Sequence, residues 1–320
     1  MILTLTPNPS LDLLFSADRL VWDDANRIPM PRRRVGGQGI NVVRAALALE
    51  PDATARAIAP LGGPVGDELR RMLEDEGTPL TPVPIDGETR IFVGVRESAT
   101  GRSLLLNPRG PRVGPDVGDA LLAALDGALE SAPPSGWVAG CGSLLPGMPL
   151  DFYAELGRRA RRRGFRFVPD CDGPGLAAAV ETADLLVPND LEASRLVGRV
   201  VDGPVSAAEA GRRLLEGAPD RVVVTLGGRG AVCVTGEGAW WACPHPPEGL
   251  SRPMTRGSAV GAGDAFLAAL LLAGAGSDPA EPLAEAVAAG SATLLSRDAD
   301  LVTGADAARV RPYVVVQPLG

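Results

Sequence analysis

The sequence predicts an α/β protein with a mostly parallel sheet. Short β-rich runs alternate with helical patterns along most of the 320 residues. Nearly every glycine-rich or polar motif follows the end of a β-rich run, on the side where open parallel sheets bind ligands. A hairpin near residues 88–107 interrupts the alternation, and with residues 10–35 it predicts a small β layer that closes over a site.

We expect one folding unit over residues 1–320, because the sequence shows no internal repeat, low-complexity tract or long linker. Within that unit we predict a core of residues 1–9, 36–85 and 109–320. The β lid is predicted to comprise residues 10–35 and 86–108.

Composition limits the function classes. Hydrophobic residues make up 45% of the chain and charged residues 22%, which is typical of a soluble globular protein. The net charge of −8 argues against a broad nucleic-acid or anionic-membrane surface. The longest apolar run, Ala265 to Ala275, is too short to span a bilayer. The N-terminal residues carry no basic region or cleavage-type site, so we expect a cytoplasmic protein without a signal peptide.

Two residue types are used unusually. All 31 basic residues are arginine, so an absent lysine at any one motif reflects a bias of the whole chain. The four cysteines are scattered without metal or redox spacing, and we expect them to be core thiols of a reducing compartment.

The first β-rich run, Ile2 to Thr6, stops at the turn Pro7-Asn-Pro9. Asp12 follows just past this strand, where open α/β sheets place their ligands. Asp12 is therefore a candidate binding residue, and the alternative is an ordinary turn aspartate.

A second glycine-rich segment opens a clear helical pattern: Gly36-Gly-Gln-Gly-Ile-Asn41. Its glycines would allow close backbone approach, while Gln38 and Asn41 would project from the first helical turn. No strand is predicted directly before it, and its glycine spacing differs from that of a dinucleotide-binding motif. The alternative is a helix start without a ligand.

Residues 54–60 predict a strand, residues 65–76 a helix and residues 80–85 another strand. The pattern then alternates with period two over Glu88 to Arg96, turns at residues 98–101 and returns over residues 102–107. Arg90 lies in the first arm of this hairpin. It is either a binding residue of the lid or a solvated strand arginine.

From residue 115 the alternation resumes. A turn with small residues, Gly142-Ser-Leu-Leu-Pro-Gly147, follows the predicted strand at residues 137–141 and contains Ser143. Helices are predicted at residues 115–130, 150–163, near 174–181 and 205–217, with strands at residues 137–141, 165–170 and 185–187.

Asn189 and Glu192 lie three residues apart where the next helix begins, so both side chains can face one point. An amide with a carboxylate is suited to positioning hydrated Mg²⁺. The alternative is a capping box, with Asn189 as the N-cap and Glu192 as its N3 partner.

A strongly β-forming run beginning at Arg221 ends in a turn with Thr225, Gly227 and Gly230, which could wrap phosphates with backbone amides and one hydroxyl. A plain hairpin turn is the alternative. His245, the single histidine, has no partner in its Pro-rich context and is expected to be a loop residue.

The segment Gly257-Ser-Ala-Val-Gly-Ala-Gly-Asp-Ala-Phe266 carries the most specific chemistry. Gly261, Ala262 and Gly263 lie where a loop opens into a helix, so their amides can hold an anion. Asp264 would repel a resting phosphate, yet it can take a proton from a hydroxyl that attacks one. The alternative is an ordinary helix start with Asp near the N-cap.

These motifs resemble the PfkB family of ribokinase-like carbohydrate kinases, nearly end to end. Residues 36–41 are similar to the family's first signature, and Val260-Gly-Ala-Gly-Asp-Ala-Phe266 is similar to its second. The resemblance implies a ribokinase-like three-layer α/β/α sandwich with a mostly parallel sheet and a small β lid. It also implies ATP and Mg²⁺ as cofactors.

Further segments are similar to 1-phosphofructokinases and tagatose-6-phosphate kinases, which implies a phosphorylated ketohexose as acceptor. These segments are Thr6-Pro-Asn-Pro-Ser-Leu-Asp12, Asn26-Arg27, Gly87-Glu-Thr-Arg90, Gly142 to Gly147 and Pro188-Asn-Asp-Leu-Glu192.

The resemblance also implies roles. Asp264 becomes the base, and the amides of Gly261, Ala262 and Gly263 hold the transferring phosphoryl charge. Asn189 and Glu192 organise Mg²⁺ through water. The nucleotide is lined by Asn189, Glu192, Thr225, Gly227, Gly230 and Gly263. The acceptor is bound by Asp12, Arg27, Gly37, Gln38, Asn41, Arg90 and Ser143, with Arg90 gripping its phosphate.

Two positions depart from the family pattern, since Gln38 and Val187 stand where lysine is usual. The leading hypothesis is an ATP-dependent fructose 1-phosphate kinase, with tagatose 6-phosphate or fructose 6-phosphate as alternative acceptors. A kinase of an unphosphorylated sugar or nucleoside is a further option. A non-catalytic sensor of sugar phosphate or nucleotide is the alternative from another class. The lid is a candidate surface for a homodimer.

Overall fold

The structure is a computed structural model that describes residues 1–245, 261–274, 278–295 and 302–320. The strands are β1 (Ile2–Leu5), β2 (Ser10–Ala17), β3 (Arg32–Gly36), β4 (Ala55–Leu61), β5 (Leu80–Pro84), β6 (Arg90–Glu97), β7 (Ser103–Leu106), β8 (Trp137–Cys141), β9 (Arg166–Asp170), β10 (Leu185–Leu186), β11 (Arg221–Thr225), β12 (Ala231–Thr235), β13 (Gly238–Pro244) and β14 (Val314–Leu319). The helices are α1 (Gln38–Leu49), α2 (Gly63–Asp75), α3 (Pro115–Glu130), α4 (Phe152–Arg162), α5 (Gly173–Ala179), α6 (Asp190–Val197), α7 (Pro204–Leu215), α8 (Ala262–Ala273), α9 (Ala280–Leu295) and α10 (Gly304–Val310).

Parallel pairing of apolar strands builds the first half of the central sheet, in the order β5-β4-β1-β8-β9. All of its neighbours pair in parallel. Strands β1 and β8 are buried at every residue, as expected of parallel strands covered by helices on both faces.

A second five-stranded sheet, β10-β11-β12-β13-β14, begins beside β9. The N–H of Asp184 donates to the Phe167 carbonyl at 2.8 Å, and the N–H of Phe167 donates to Asp184 Oδ2 at 2.7 Å. These bonds join the two sheets edge to edge. Strands β10 and β11 pair in parallel, while β12, β13 and β14 add antiparallel neighbours.

Apolar helix faces cover both sides of this sheet. One core packs α1, α8 and α9 against it through residues such as Ile40, Leu267 and Val287. The other packs α3 and α4 against the opposite face, with Leu121 and Phe152 fully buried. The three-layer α/β/α architecture with a mostly parallel sheet is therefore confirmed.

The small β lid is a separate four-stranded sheet of order β3-β2-β6-β7. Strand β2 pairs antiparallel with β3 and parallel with β6, which joins the segment after residue 10 to the predicted hairpin. The domain boundaries predicted for core and lid stay a prediction.

One sequence-based expectation is wrong in this region. Strand β3 ends directly before α1, where no strand is predicted. Three consecutive arginines, Arg32 to Arg34, hide any alternation of apolar and polar residues. The strand forms because its backbone pairs with β2, from Leu14–Arg32 to Ser10–Gly36. Pairing in space, which local propensity does not encode, decides this element.

Helix α10 is also absent from the sequence prediction. Thr303 caps it, accepting a hydrogen bond from the Asp306 N–H at 3.2 Å, while the Thr303 N–H donates to Asp306 Oδ2 at 3.2 Å. Within the described ranges, none of the helices combines the length and the apolarity that crossing a bilayer requires.

Candidate active site

The glycine-rich turn before α8 forms an open helix tip. Gly261 is the N-cap with φ 92°, and the first intrahelical donor is the N–H of Ala265, which reaches the Gly261 carbonyl at 2.9 Å. The amides of Ala262, Gly263 and Asp264 therefore precede the helical ladder. A Cβ on Gly261 or Gly263 would meet no described atom within 4 Å. No described atom therefore crowds these two glycines, and an anion site at a helix tip needs such room. The part of the motif before Gly261 lies outside the described residues.

Asp264 is the third residue of α8 and is only 8% exposed. Asn41 Nδ2 donates to Asp264 Oδ2 at 3.0 Å. Burial raises the pKa of Asp264 to about 7, although the Asn41 hydrogen bond and the Arg34 charge favour the carboxylate. Such a group can act as a general base near neutral pH.

A second carboxylate, Asp170 at the end of β9, lies close enough to Asp264 to feel its charge. Burial raises the pKa of Asp170 to about 7, and the negative charges of Asp264 and Glu192 act in the same direction. The Asp170 carboxylate thus interacts electrostatically with Asp264 at the tip of α8 and with Glu192 at the start of α6. The sequence analysis does not include it among the site residues.

One face of the lid carries polar residues predicted to meet the sugar. In the sheet register Ser10 pairs with Gly36 on one side and Arg90 on the other, and Asp12 pairs with Arg34. These residues share a face because strand side chains alternate. Ser10 Oγ donates to Asp12 Oδ1 at 2.6 Å. A Cβ on Gly36 would lie 2.2 Å from the same oxygen, so glycine leaves the room that this carboxylate needs.

The lid face and the helix tip share one cation. Burial raises the pKa of Asp12, while the Ser10 hydrogen bond and the charges of Arg34, Arg90 and Arg44 lower it. Arg34 also acts on Asp264. The Arg34 charge therefore acts on both Asp12 and Asp264, although the two residues are 252 positions apart in the sequence.

Arg90 braces the lid against the core. Its Nη1 donates to Asn107 Oδ1 at 2.5 Å and to the Pro108 carbonyl at 3.0 Å, and its Nη2 donates to the Asn8 carbonyl at 2.8 Å. Its Nε is buried without a hydrogen-bond partner among the described residues. Burial lowers the pKa of Arg90, and Asp12 opposes that change. Phosphate binding by this guanidinium stays a prediction.

The start of α1 lies beside the turn after β8. Gly37 is the N-cap of α1 with φ 131°, a conformation that favours glycine. Gln38 is exposed, and a Cβ on Gly142 would lie 3.2 Å from Gln38 Oε1. Ser143 Oγ accepts a hydrogen bond from Asn8 Nδ2 at 3.0 Å. Gln38 and the Ser143 turn are thus neighbours, although their sequence positions differ by about a hundred.

Arg27 is exposed in the segment that links β2 to β3. Over the described ranges, the structure joins it to no other predicted site residue. Its role in binding the acceptor stays a prediction.

On the nucleotide side, Asn189 and Glu192 form the capping box of α6. The Glu192 N–H donates to Asn189 Oδ1 at 2.9 Å, and the Asn189 N–H donates to Glu192 Oε2 at 2.9 Å. This pair therefore forms the capping box that the sequence analysis gives as the alternative to a magnesium site. Burial raises the pKa of Glu192, and the negative charge of Asp172 adds to it.

Thr225 lies directly beside this capping box. It forms a parallel bridge with Asn189, and its N–H donates to the Pro188 carbonyl at 3.0 Å. The turn that follows contains Gly227 at φ 58° and Gly230 at φ 82°. A Cβ on Gly230 would lie 1.9 Å from the Ala242 carbonyl, whereas one on Gly227 would meet no described atom within 4 Å. Gly230 thus packs the turn against β13, and Gly227 leaves its outer side open.

The sequence matches the pfkB family of carbohydrate kinases over residues 9–301. The chain belongs to the PfkB family. It is therefore a phosphotransferase that uses an alcohol group as acceptor.

Three relatives illustrate the match of this PfkB kinase. It is 34% identical to ATP-dependent 6-phosphofructokinase isozyme 2 of Mycobacterium tuberculosis, over 84% of this chain and 76% of that protein. It is 29% identical to 1-phosphofructokinase of Bacillus subtilis, over 93% of this chain and 94% of that protein. The crystal structure of phosphofructokinase-2 from Escherichia coli, in complex with potassium, superposes with a TM-score of 0.87 at 31% identity and covers 98% of both chains.

The residues of this PfkB kinase fit a nucleotide-bound divalent cation held through water. Asp170 and Glu192 are carboxylates with raised pKa values that lie close enough to interact, and when ionised they would repel a nucleotide phosphate that arrived without a cation. Among the described residues, no three acidic, histidine or cysteine side chains converge into a metal cage. Mg²⁺ typically keeps several waters and takes one or two carboxylates together with substrate phosphates. Glu192 and Asn189 remain the residues predicted to hold it.

Three residues that the sequence analysis does not single out have prominent positions in this kinase. Asn8 is buried and bonds both Ser143 and the Arg109 carbonyl, so it connects the strand end, the lid base and the turn after β8. Arg34 lies opposite Asp12. Asp170 ends a parallel strand, and this position could have identified it from the sequence as a candidate site residue, because ligands bind at that edge of a sheet.

Proposed function

We propose that the chain transfers a phosphoryl group from ATP to a fructose monophosphate, giving fructose 1,6-bisphosphate. The observation that carries the proposal is the buried Asp264 carboxylate beside the open amides of the α8 tip. A base and an anion site within one helical turn are what phosphoryl transfer to a hydroxyl needs.

Asp264 takes the proton of the sugar hydroxyl while its oxygen attacks the terminal phosphorus of ATP. The O–H bond breaks as the new O–P bond forms, the proton ends on the aspartate, and ADP leaves with the electrons of the broken P–O bond. The amides of Ala262, Gly263 and Asp264 stabilise the phosphoryl charge in transit. A pKa near 7 suits the base, because part of the enzyme is already deprotonated at neutral pH. Mg²⁺, when bound, would neutralise nucleotide phosphate charge.

On the acceptor side, Asp12 supplies a carboxylate for sugar hydroxyls, and the charges of Arg34 and Arg90 flank it. Guanidinium groups beside this carboxylate can bind phosphate bidentately, which favours an acceptor that already carries phosphate. On the donor side we propose that Thr225, Gly227 and Gly230 line the nucleotide, next to Asn189 and Glu192.

Two acceptors lead to the same product. Fructose 1-phosphate, expected from the motifs, would present its 6-hydroxyl to Asp264. The similarity to 1-phosphofructokinase of Bacillus subtilis supports this acceptor. Fructose 6-phosphate would present its 1-hydroxyl, and the similarity to 6-phosphofructokinase isozyme 2 of Mycobacterium tuberculosis supports that acceptor. The exposed Gln38, in the position where lysine is usual, removes one cation from the acceptor site in either case.

The test is a coupled assay of ADP release with ATP, Mg²⁺ and a panel of fructose 1-phosphate, fructose 6-phosphate, tagatose 6-phosphate and fructose. We expect turnover with a fructose monophosphate, and a loss of at least about 100-fold in kcat for Asp264→Asn. Failure to turn over any phosphorylated ketose would exclude the proposal. Binding of ATP and sugar phosphate by calorimetry without product over hours would establish the sensor instead.

Arg90→Met separates phosphorylated from plain acceptors. A guanidinium that binds the acceptor phosphate predicts a rise in KM of about 10-fold or more for the fructose monophosphate, with the KM for ATP unchanged. Equal effects on both substrates would assign Arg90 to bracing the lid alone.

The lid is also proposed as a homodimer surface. Its outer segments expose Trp22 (76% exposed), Met30 (91% exposed) and Leu105 (58% exposed), which is unusual for a surface that stays in water. An E. coli relative has been crystallised as a tetramer. Light scattering coupled to size exclusion should give a dimer for the wild type and a monomer for Trp22→Arg/Leu105→Arg. A monomeric wild type contradicts this assignment.

We place the protein in a reducing compartment and propose the cytoplasm. All four cysteines are free thiols, and burial raises the pKa of Cys141, Cys171 and Cys233, which keeps these three protonated.

A further inference from the structure

A buried arginine on α1 stands behind the catalytic aspartate without touching it. Arg44 is only 9% exposed, and its Nη1 donates to Asn41 Oδ1 at 3.3 Å. Its Nε and Nη2 donate to the two carboxylate oxygens of Glu76 at 2.7 Å and 2.9 Å. Asn41, itself 8% exposed, donates in turn to Asp264. A continuous chain therefore runs from the end of α2 through α1 to the tip of α8.

The two neighbours of Asn41 leave its amide a single favourable orientation. A guanidinium can only donate, so Arg44 must face the amide oxygen, and a carboxylate can only accept, so Asp264 must face the amide N–H₂. A flipped amide would set oxygen against oxygen and N–H against N–H. The two-point pair with Glu76 keeps Arg44 from turning away.

We propose that Arg44, anchored by Glu76, is a positioning residue that fixes the amide of Asn41 and thereby directs its N–H at the Asp264 carboxylate. The inference rests on the proposed role of Asp264 as the base. It assigns Arg44 no contact with substrate.

The groups that act on Asp264 come from several elements, and each has a different expected effect. Arg34 from β3 favours the carboxylate. Asp170 from β9 is close enough for the Asp264 charge to raise its pKa, so the two carboxylates repel each other. The thiol of Cys141 on β8 feels the Asp264 charge, and burial keeps this thiol protonated. The Arg44 charge also lowers the pKa of Asp12. On Asp264 it acts through Asn41, so that effect should vanish when Asn41 can no longer donate.

The pH dependence of kcat/KM for the fructose monophosphate measures this coupling. Activity rises with pH as Asp264 loses its proton, so the midpoint of the acidic limb follows the pKa of the base. Asn41→Leu removes the donor and should move that midpoint upward by about one pH unit. Arg44→Met should move it in the same direction, because an amide free to rotate donates less often.

Arg44→Met in the Asn41→Leu background gives the decisive comparison. If Arg44 acts through Asn41, the double variant has the same midpoint as Asn41→Leu alone. A further upward shift in the double variant would overturn the inference, since Arg44 would then act on Asp264 directly. A midpoint of Arg44→Met equal to wild type, in a folded protein, would also overturn it.

Two more variants guard against a purely structural explanation. Arg159→Met breaks a comparable part-buried pair with Asp126 at 2.5 Å on α4, and its midpoint should equal wild type whatever its stability. If Arg44→Met fails to fold, Glu76→Gln keeps the buried arginine and loosens its anchor. An upward midpoint supports the inference, and an unchanged one overturns it. Full activity of Asp264→Asn would instead remove the proposed function, which is a separate outcome.

Discussion

Replacing Asp264 by asparagine should stabilise the protein while it abolishes catalysis, and the stabilisation should depend on pH. The carboxylate is buried, and its pKa is raised from 3.8 to about 7, chiefly by the loss of hydration. The folded state therefore binds this proton more tightly than the unfolded state does. Stability consequently falls as pH rises from about 4 to about 7, and it stays reduced at higher pH.

The magnitude follows from the two pKa values. Between a pKa of 3.8 in the unfolded chain and about 7 in the folded one, the penalty is about 2 kcal/mol at pH 5 and about 4 kcal/mol at pH 8. Asparagine has nearly the same shape and cannot ionise. Removing the Asp264 charge also relieves Asp170, whose pKa it raises. The advantage of the Asp264→Asn variant should thus grow by about 2 to 3 kcal/mol between pH 5 and pH 8.

Urea unfolding at pH 5 and pH 8, for wild type and variant, measures this difference directly. Gln38→Glu is a matched control, because it changes an exposed position at the same site by the opposite step in charge. Its stability difference should stay within about 0.5 kcal/mol at both pH values. A stability gain for Asp264→Asn that is equal at pH 5 and pH 8, or smaller at pH 8, would refute the assignment of Asp264 as a carboxylate whose pKa is raised by burial.

Three further substitutions test the geometry of the site. Gly36→Ala places a methyl group 2.2 Å from Asp12 Oδ1 and should therefore raise the KM for the fructose monophosphate about 10-fold, with the KM for ATP unchanged. The kinetic control is Gly127→Ala, whose added methyl group meets no described atom within 4 Å. Gly230→Ala forces a Cβ to 1.9 Å from the Ala242 carbonyl at φ 82° and should lower the free energy of unfolding by about 2 kcal/mol or more in a urea titration. Asn189→Ala removes the α6 cap and should cost about 1 kcal/mol in thermal unfolding while it raises the KM for ATP, whereas a stability loss with an unchanged KM would make Asn189 a cap only.

Elements with a strong local signal could be predicted from the sequence. The run from Trp137 to Cys141 is apolar and bounded by turns, and the structure gives β8 the same limits. Pro115 marks the first turn of α3, where its missing N–H is not needed, and the helix runs over the predicted residues. The limits of the other predicted helices and strands differ from those in the structure by a few residues, because the ends of an element depend on local capping.

Features that depend on strand register could not be read from local sequence. Strand β3 consists of arginines and glycine around one valine, and it exists because β2 offers it a partner. That register sets Arg34 opposite Asp12 and so places a cation in the site. From the sequence alone, the same residues indicate only a basic run, because nothing local fixes which strand they join.

Asp264 and Asn41 are candidate site residues from the sequence, but the hydrogen bond between them could not be predicted. Asp264 and Asn41 each stand in a recognisable helix start, and the structure brings them to 3.0 Å across 223 residues of chain. Arg44 follows Asn41 by one helical turn, a spacing that indicates shared orientation on a helix. What it meets there depends on the packing of α2, which no local pattern specifies.

The burial that makes the Asp264 carboxylate unfavourable for folding would also suit it to its proposed role as the base. In water an aspartate of pKa 3.8 has little affinity for a hydroxyl proton, whereas one raised to about 7 holds that proton far more tightly and still ionises at neutral pH. The Asn41 hydrogen bond opposes the effect of burial and keeps the pKa from rising further. A chain from Glu76 to Asp264 would then serve to limit the shift, holding the base between a pKa too low to accept a proton and one too high to be ionised.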